Sequence, residues 1–124
     1  MISTRTAHLW IDDDLIVHCD CLPGFDTTKA DAVAIAAATW KVAGERRRPG
    51  LVDIRSSRSI DRAARAHFSG PACARTNAAV ALVIGSPLSR MVGNFFIGLN
   101  KPLFPTRLFT LEADAHTWLR GFLE

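Results

Sequence analysis

The sequence of 124 residues predicts an α/β fold: one domain (1–124) with a mostly parallel five-stranded sheet, opened by an antiparallel hairpin. Two apolar runs separated by three aspartates open the chain, and strand-like runs then alternate with segments of helical period across short connections. Alternating strands and helices favour parallel strands joined by right-handed crossovers. The expected order is β-β-α-β-α-β-α-β-α, with four helices.

The opening hairpin is predicted from residues 7–11 and 15–19, with the aspartates at 12–14 as its turn. Pairing of Ile11 with Leu15 would set the register, and side chains would then alternate between two faces. The expected core face carries Leu9, Ile11, Leu15, Val17 and Cys19. The expected outer, half-exposed face carries His8, Trp10, Ile16, His18 and Asp20.

An aromatic ring beside a β-branched residue on this outer face indicates that something covers it, most simply a second copy of the chain. We therefore expect a homodimer through the hairpin. Its expected interface residues are His8, Trp10, Ile16 and His18.

The first helix is predicted from its ends and from a helical repeat. Thr28 with Asp31 resembles a capping box, and Gly44 is a natural stop. The apolar residues at helical spacing are Ala30, Val33, Ala34, Ala37 and Trp40. A strand at 51–54, a loop at 56–59, a short helix at 61–69 and a buried strand at 79–84 follow.

The third helix has the clearest pattern. Ser86 is a good N-cap, and Pro87 occupies the first helical position. Its complete apolar stripe, expected to lie mostly in the core, consists of Leu88, Met91, Val92, Phe95, Phe96 and Leu99. The alternative is that this stripe forms a groove for a lipid or a partner. A strand at 106–110 and a closing helix with Leu111, Ala115, Trp118, Leu119 and Phe122 complete the chain.

The middle of the chain resembles a known family. Residues 51–54 (LVDI) followed by Ile60 and Asp61 are similar to the STAS domain of anti-sigma-factor antagonists, where an Asp-bearing strand leads through a loop to Asp-Ser-x-Gly at a helix start. The element order matches over essentially the whole chain. Residues 86–90, 94–96, 100–102 and 106–109 also resemble small uncharacterised actinobacterial proteins grouped with the STAS and CRAL-TRIO-like folds. The resemblance implies this scaffold and protein binding.

The resemblance does not extend to the regulatory serine. In the family, the serine after the Asp is phosphorylated by a partner kinase, and its charge switches binding. Aligned on Asp61, this chain has Arg62, Ala63 and Ala64, which offer no hydroxyl group. The nearby serines, which either substitute for it or form turns, are Ser56, Ser57 and Ser59.

Basic and hydroxyl residues are expected at one edge of the sheet. Ligands of open α/β sheets bind beyond the carboxyl ends of the strands, and helix N-termini and arginines favour anions. The candidate ligand- or partner-binding residues are Arg55, Ser56, Ser57, Arg58, Ser59, Asp61, Arg62, Ser86, Ser89 and Arg90. The alternative is that the serines cap helices and the arginines pair with Asp53, Asp61 or solvent.

The same reasoning predicts no metal site, no cofactor and no catalytic residue. Zinc needs about four converging ligands. Cys19 should point away from His18 and Asp20 because alternate strand residues face opposite sides, so Cys19 and Cys21 do not converge with them on a metal. The pair of His8 and His18 is expected to be an ordinary feature of an exposed strand face. No G-x-S-x-G nucleophile motif is present.

Composition sets further expectations. The net charge of +3 and one arginine cluster at 46–48 are too little to predict nucleic-acid binding. The longest apolar run, 78–84, is too short for a membrane span, and residues 1–5 lead into no signal-peptide core. With three cysteines read as free thiols, a cytoplasmic protein is expected.

The leading hypothesis is a non-enzymatic, regulatory protein-interaction module that binds a protein partner, itself, or both. The alternative is a carrier or sensor of a small anionic or amphipathic ligand, which requires a cavity. A third hypothesis is an enzyme of unlisted chemistry, which would require Asp53, Asp61, His67 and Arg90 to converge in one cleft.

Overall fold

The computed structural model describes residues 1–123 and confirms the α/β class with a mostly parallel central sheet. The strands are β1 (Ile2–Ser3), β2 (Ala7–Ile11), β3 (Val17–Cys21), β4 (Asp26–Thr27), β5 (Arg48–Asp53), β6 (Ser59–Ile60), β7 (Asn77–Val83) and β8 (Thr106–Phe109). The helices are α1 (Lys29–Val42), α2 (Arg62–Ser69), α3 (Pro71–Thr76), α4 (Pro87–Phe95) and α5 (Glu112–Arg120), and α4 continues as a π-helical segment, Phe96–Asn100.

The central sheet has the order β1-β2-β3-β5-β7-β8. The β1–β2 and β2–β3 pairs are antiparallel, whereas β3–β5, β5–β7 and β7–β8 are parallel. The central sheet contains six strands where the sequence predicts five, because β1 adds an edge strand. Strands β4 and β6 form a separate two-stranded sheet. The described residues hold five helices where four are expected, because Pro71 starts α3 directly after the extended Gly70.

The two faces of the sheet have different cover. One face packs against α1–α4, with Leu9, Cys19, Ile35, Val80 and Phe96 among the buried residues. The other face packs against α5, where Ala115 and Leu119 are fully buried. A parallel sheet requires cover on both faces, and α5 provides it here.

The predicted hairpin register is wrong by two residues, since Ile11 pairs with Val17 and not with Leu15. The Asp12 carboxylate accepts hydrogen bonds from the N–H groups of Asp14 and Ile16, at 2.9 and 3.0 Å, and this lengthens the turn. Leu15 consequently lies in the turn with φ of 64° and is exposed. Because the error is an even number of residues, each paired strand residue keeps its predicted face.

The expected exposure of the outer hairpin face is wrong for Ile16 and His18, which are buried. Ile16 belongs to the core cluster beneath α5, and His18 lies close to the α5 residues Glu112 and His116. This pattern cannot be read from the hairpin alone, because the covering helix comes from the other end of the chain.

The predicted first helix is confirmed, but the apolar repeat that predicts it faces solvent and not the core. The capping box of Thr28 and Asp31 is present, and Gly44 has a φ of 70°. The buried residues are Asp31, Ala32, Ile35, Ala38 and Thr39, whereas Ala30, Val33, Ala34, Ala37 and Trp40 are exposed. Alanine residues occur on every side of this helix, so the periodicity identifies a helix without identifying its buried face.

An ion pair between the exposed Arg5 and the buried Asp31 joins the start of α1 to the N-terminal segment. Arg5 donates through Nε to Asp31 Oδ1 at 2.9 Å and through Nη2 to Asp31 Oδ2 at 2.6 Å. Hydrogen bonds from Arg5 and from Thr28 hold the pKa of Asp31 far below its ordinary value, against the opposing effect of burial.

We expect Arg5→Met to lower the melting temperature at pH 7, because it leaves the Asp31 carboxylate without its bidentate partner. The pKa of Asp31 is lower in the folded state, so this stabilisation is complete above about pH 4 and is lost as pH falls through the folded-state value. The gap between variant and wild type should therefore narrow in acid. Circular-dichroism melts between pH 2 and 7 measure it, with exposed Arg46→Met as the control; a gap independent of pH would contradict the assignment.

Candidate functional site

The outer side of α4 and the loop after it form an exposed apolar surface, which we call the α4 surface. Its members are Leu88, Met91, Phe95, Leu99 and Leu103, with relative exposures of 41%, 47%, 43%, 72% and 63%. Scattered apolar side chains are normal on a protein surface, but a contiguous set marks an interaction site. Leu88, Met91, Phe95 and Leu99 recur every three or four residues and therefore share one side of the helix. The α4 surface therefore needs a functional explanation.

The predicted core position of the α4 stripe is wrong for most of its members. Val92 and Phe96 are buried against the sheet, whereas Leu88, Met91, Phe95 and Leu99 are exposed. The stripe is wide enough to have an inner and an outer part, and only the inner part contacts the core.

The start of α4 is built by a network of two serines. Ser86 accepts a hydrogen bond from the Ser89 N–H, and the Ser89 hydroxyl accepts from the N–H groups of Gly85 and Ser86, all at 3.0 Å. Ser89 is fully buried. These hydroxyl groups position α4 and are already used within the chain.

A shallow groove runs along the α4 surface. It is lined by Gly85, Pro87, Arg90, Met91, Asn94 and Phe95. Arg90 lines this groove, and the exposed Lys101 lies between Leu99 and Leu103 in the chain, so basic residues accompany the apolar side chains. The arrangement provides a concave apolar contact with a cationic rim.

Most of the other residues predicted at the sheet edge have partners within the chain. Arg55 binds Asp53 through two side-chain contacts of 2.7 and 3.0 Å, and Asp61 accepts from the Ala64 N–H as the N-cap of α2. Ser59 donates to Asp26 at 2.6 Å, Arg58 lies 3.3 Å from the same carboxylate, and Ser57 is buried. Among the exposed candidates at this edge, Ser56, Arg62 and Arg90 have side chains that make no hydrogen bond or ion pair within the described residues.

The predicted hairpin interface is mostly covered. Trp10 stacks on His18 with ring centroids 4.9 Å apart, and His8 forms a 2.9 Å hydrogen bond with Ser3. Because α5 buries Ile16 and His18, only His8 and Trp10 of the four expected residues retain partial exposure. The homodimer itself stays a prediction.

Where α5 crosses the hairpin, Asp12, His18 and His116 come together, and we call them the carboxylate–histidine cluster. Asp12 Oδ2 lies 2.7 Å from His18 Nε2 and 3.0 Å from His116 Nε2. Asp14 Oδ2 lies 3.5 Å from His116 Nε2, and Glu112 Oε1 lies 3.9 Å from His18 Nδ1. Burial raises the pKa of Asp12, but hydrogen bonds from His18, the Ile16 N–H and His116 outweigh it and lower the pKa overall.

A mostly apolar cavity of about 80 Å³ lies between the sheet and α1–α4. Its walls include Cys21, Ile35, Phe68, Cys73 and Phe96. Arg65 also lines it, donating through Nη1 to the Ile60 carbonyl at 2.7 Å, while its buried Nε has no partner in the described residues.

A comparison with known protein families identifies the family of this chain. Residues 9–123 match a family described as a domain of unknown function (DUF7793). The chain belongs to this family. A search of the curated proteins finds no match.

Among solved structures, the DUF7793 chain is similar to an uncharacterised protein of the DUF3478 family from Shewanella loihica PV-4, which has a SpoIIAA-like fold. The two are 15% identical, with a TM-score of 0.56, and the alignment covers 96% of this chain and 98% of that one. A protein of unknown function from Arthrobacter sp. FB24 is 32% identical over 90% of this chain and 97% of its own, with a TM-score of 0.32. The first likeness shows a SpoIIAA-like, and hence STAS-like, fold; closeness to actinobacterial proteins stays a prediction.

Sequence reasoning missed two features of the DUF7793 chain. Asp12 looks like an ordinary turn residue and His116 like a helix surface residue, and 104 positions separate them. Arg65 resembles its exposed neighbours on a short helix. No local signal distinguishes these residues, because their neighbours come from distant parts of the chain.

None of the described helices has the length and hydropathy needed to cross a bilayer.

We expect Cys73 to resist alkylation in the folded protein, because burial beside the cavity raises its pKa to about 11. At pH 8 its reaction with iodoacetamide should be at least ~100-fold slower than in urea, since little thiolate is present. Peptide mass spectrometry measures the rate at each cysteine separately. If the rates for Cys73 in the folded protein and in urea differed by less than about tenfold, the cavity would open readily to solvent.

Proposed function

We propose that the DUF7793 chain is a non-enzymatic, regulatory protein-interaction module whose contact surface is the α4 surface. The observation that carries the proposal is the exposure of five large apolar side chains on one helix and its following loop. Removing such side chains from water on binding is favourable by roughly 25 cal/mol per Å² before the costs of association.

The composition of the α4 surface resembles that of a protein interface. Methionine, aromatic and arginine side chains are enriched at protein interfaces, and Met91, Phe95 and Arg90 lie side by side here. The shallow groove between them offers a recess in which a partner could place an apolar anchor side chain. The expected partner is a protein segment with apolar anchors and acidic flanks, because Arg90 and Lys101 border the contact.

A protein partner is favoured over a membrane surface. Recognition of anionic lipid usually involves a cluster of four to eight basic residues. The α4 surface is bordered by Arg90 and Lys101 alone among the residues of 87–103, so its charge is low for that purpose.

The STAS-like fold supports an interaction role, since the STAS domains that the sequence resembles bind proteins. The phosphorylated serine of that family has no counterpart here, because the N-cap Asp61 is followed by the exposed Arg62. We infer that binding at the α4 surface works without this switch.

Three free cysteines are consistent with a cytoplasmic location.

We expect Met91→Glu to abolish partner binding without unfolding the chain, because Met91 is exposed and an added carboxylate would have to be desolvated at the contact. The matched control is Val33→Glu, which places the same charge on an exposed apolar position of α1. Quantitative pulldown with the wild type and both variants, followed by calorimetry with the purified partner, measures the effect. The expected loss of affinity is more than tenfold for Met91→Glu alone.

Three results would overturn this assignment. One is a partner retained equally by Met91→Glu and Val33→Glu. Another is co-sedimentation of the wild type with anionic vesicles that Met91→Glu prevents, since the surface would then bind lipid. The third is concentration-dependent dimerisation lost only in Met91→Glu, since the surface would then be a homodimer contact.

A second candidate function, the carrier or sensor of a small amphipathic carboxylate, is favoured by the cavity. An apolar cavity of about 80 Å³ has room for more than one water-sized group, and apolar cavities of this kind bind apolar molecules. Arg65 has a buried Nε free to donate to a carboxylate at the cavity wall.

We expect propanoate, which is small enough for a cavity of about 80 Å³, to bind the wild type and Arg65→Met to weaken that binding at least tenfold, because the charge-assisted hydrogen bond is lost. Propan-1-ol should bind both proteins equally, which separates the arginine contact from the apolar one. NMR titration of the full chain measures both ligands. Absence of chemical-shift changes at cavity residues would exclude this function and leave the α4 proposal intact.

A further inference from the structure

We propose that the carboxylate–histidine cluster of Asp12, His18 and His116 binds one late divalent transition-metal ion such as Zn²⁺. The site would join the β2–β3 turn to α5. It is independent of the α4 surface, because it is built on the α5 side of the sheet whereas α4 packs on the other side.

The ligand atoms already converge. One atom from each of the three residues lies within 4.8 Å of the others, and Asp12 Oδ2 is 2.7 and 3.0 Å from the two Nε2 atoms. Bonds of about 2.0–2.1 Å to a tetrahedral zinc ion set its ligand atoms about 3.3 Å apart. Small shifts of the three side chains would therefore accommodate the ion.

The surroundings of His18 support a metal site independently of the distances between the ligand atoms. His18 is 8% exposed, and its Nδ1 is buried without a hydrogen-bond partner in the described residues. If Nε2 carries the proton and donates to Asp12, the Nδ1 lone pair faces Glu112 Oε1 at 3.9 Å. That arrangement sets a lone pair towards a carboxylate, which is unfavourable.

Metal binding resolves this conflict. With the ion on Nε2, the neutral ring carries its proton on Nδ1, directed towards the Glu112 carboxylate. Metal-bound histidines almost always donate their other ring N–H to a carboxylate, a carbonyl or water. Trp10 stacks on the same ring at 4.9 Å and restricts its rotation.

The charges around the cluster also favour a cation. Asp12, Asp14 and Glu112 contribute carboxylates, whereas both nearby arginines have other partners. Arg120 is bound to Asp14 at 2.9 Å, and Arg55, which is close enough to Glu112 and Asp20 to interact with their charges, is bound to Asp53 at 2.7 Å. Asp20, on the neighbouring position of the same strand face, adds negative charge near His18. A divalent ion or a protonated histidine would neutralise this excess, and nitrogen-15 NMR of His18 with and without Zn²⁺ distinguishes the two.

The donor set indicates the class of metal. Two imidazoles and one carboxylate suit zinc, cobalt and nickel better than calcium or magnesium, which prefer oxygen ligands. Three protein ligands leave a position for water or a further group, and Asp14 Oδ2 at 3.5 Å from His116 Nε2 is close enough to approach it.

The test is titration of the full, chelator-treated chain with Co²⁺, followed by visible absorption, and with Zn²⁺, followed by calorimetry. We expect one equivalent to bind with the spectrum of a tetrahedral or five-coordinate site. His116→Ala removes a ligand from the half-buried surface of α5 and should weaken binding at least ~100-fold, whereas His8→Ala, outside the cluster, should leave it unchanged.

A second variant addresses the supporting contact. Glu112→Gln should weaken binding ~10- to 100-fold, as outer-shell substitutions do, and Asp114→Asn on the same helix should not. Retained binding in His116→Ala, or no stoichiometric binding at all, overturns the proposal. Nitrogen-15 NMR showing His18 as an imidazolium that added Zn²⁺ leaves unchanged would likewise overturn it and assign the cluster as an ionic hydrogen-bond network.

Discussion

The packing of α5 against the second face of the sheet is the interaction on which the rest of the structure depends. Without it, the fully buried Leu51, Ala81 and Val83 would face water on that side. Its aromatic residues extend the contact, because Trp118 packs against Phe109 and Phe122 at ring distances of 5.7 and 4.9 Å. The same helix buries the hairpin side chains expected to be exposed, and it brings His116 and Glu112 to His18.

The opposite face of the sheet is covered more loosely. There, α4 and its π-helical continuation contribute Val92 and Phe96 to the wall of the cavity, while their outer side chains remain in solvent. One helix therefore borders both the internal apolar space and the proposed contact surface. Occupation of the cavity and binding at the α4 surface would act on the same element, whereas the carboxylate–histidine cluster lies on the other side of the sheet.

The sheet edge shows how caps and ion pairs can resemble a binding site in sequence. The serines and arginines of this edge are the residue types that hold an anion, yet Ser86, Ser89 and Arg55 are engaged by the chain itself. Arg90 is different, because its side chain extends beside the exposed apolar residues of α4. Composition alone does not separate these cases; the hydrogen-bond partners do.

The sequence by itself determined the α/β class, the order of the main elements and the ends of the helices, because capping boxes and helical periods depend on residues three or four positions apart. Tertiary structure decided which face each element buries: the inner side of alanine-rich α1, the exposure of Leu88 and Phe95, and the two-residue shift of the hairpin. It also decided the meeting of Asp12 with His116 across 104 positions. Burial depends on which distant element packs against a surface, and a local pattern contains no information about that neighbour.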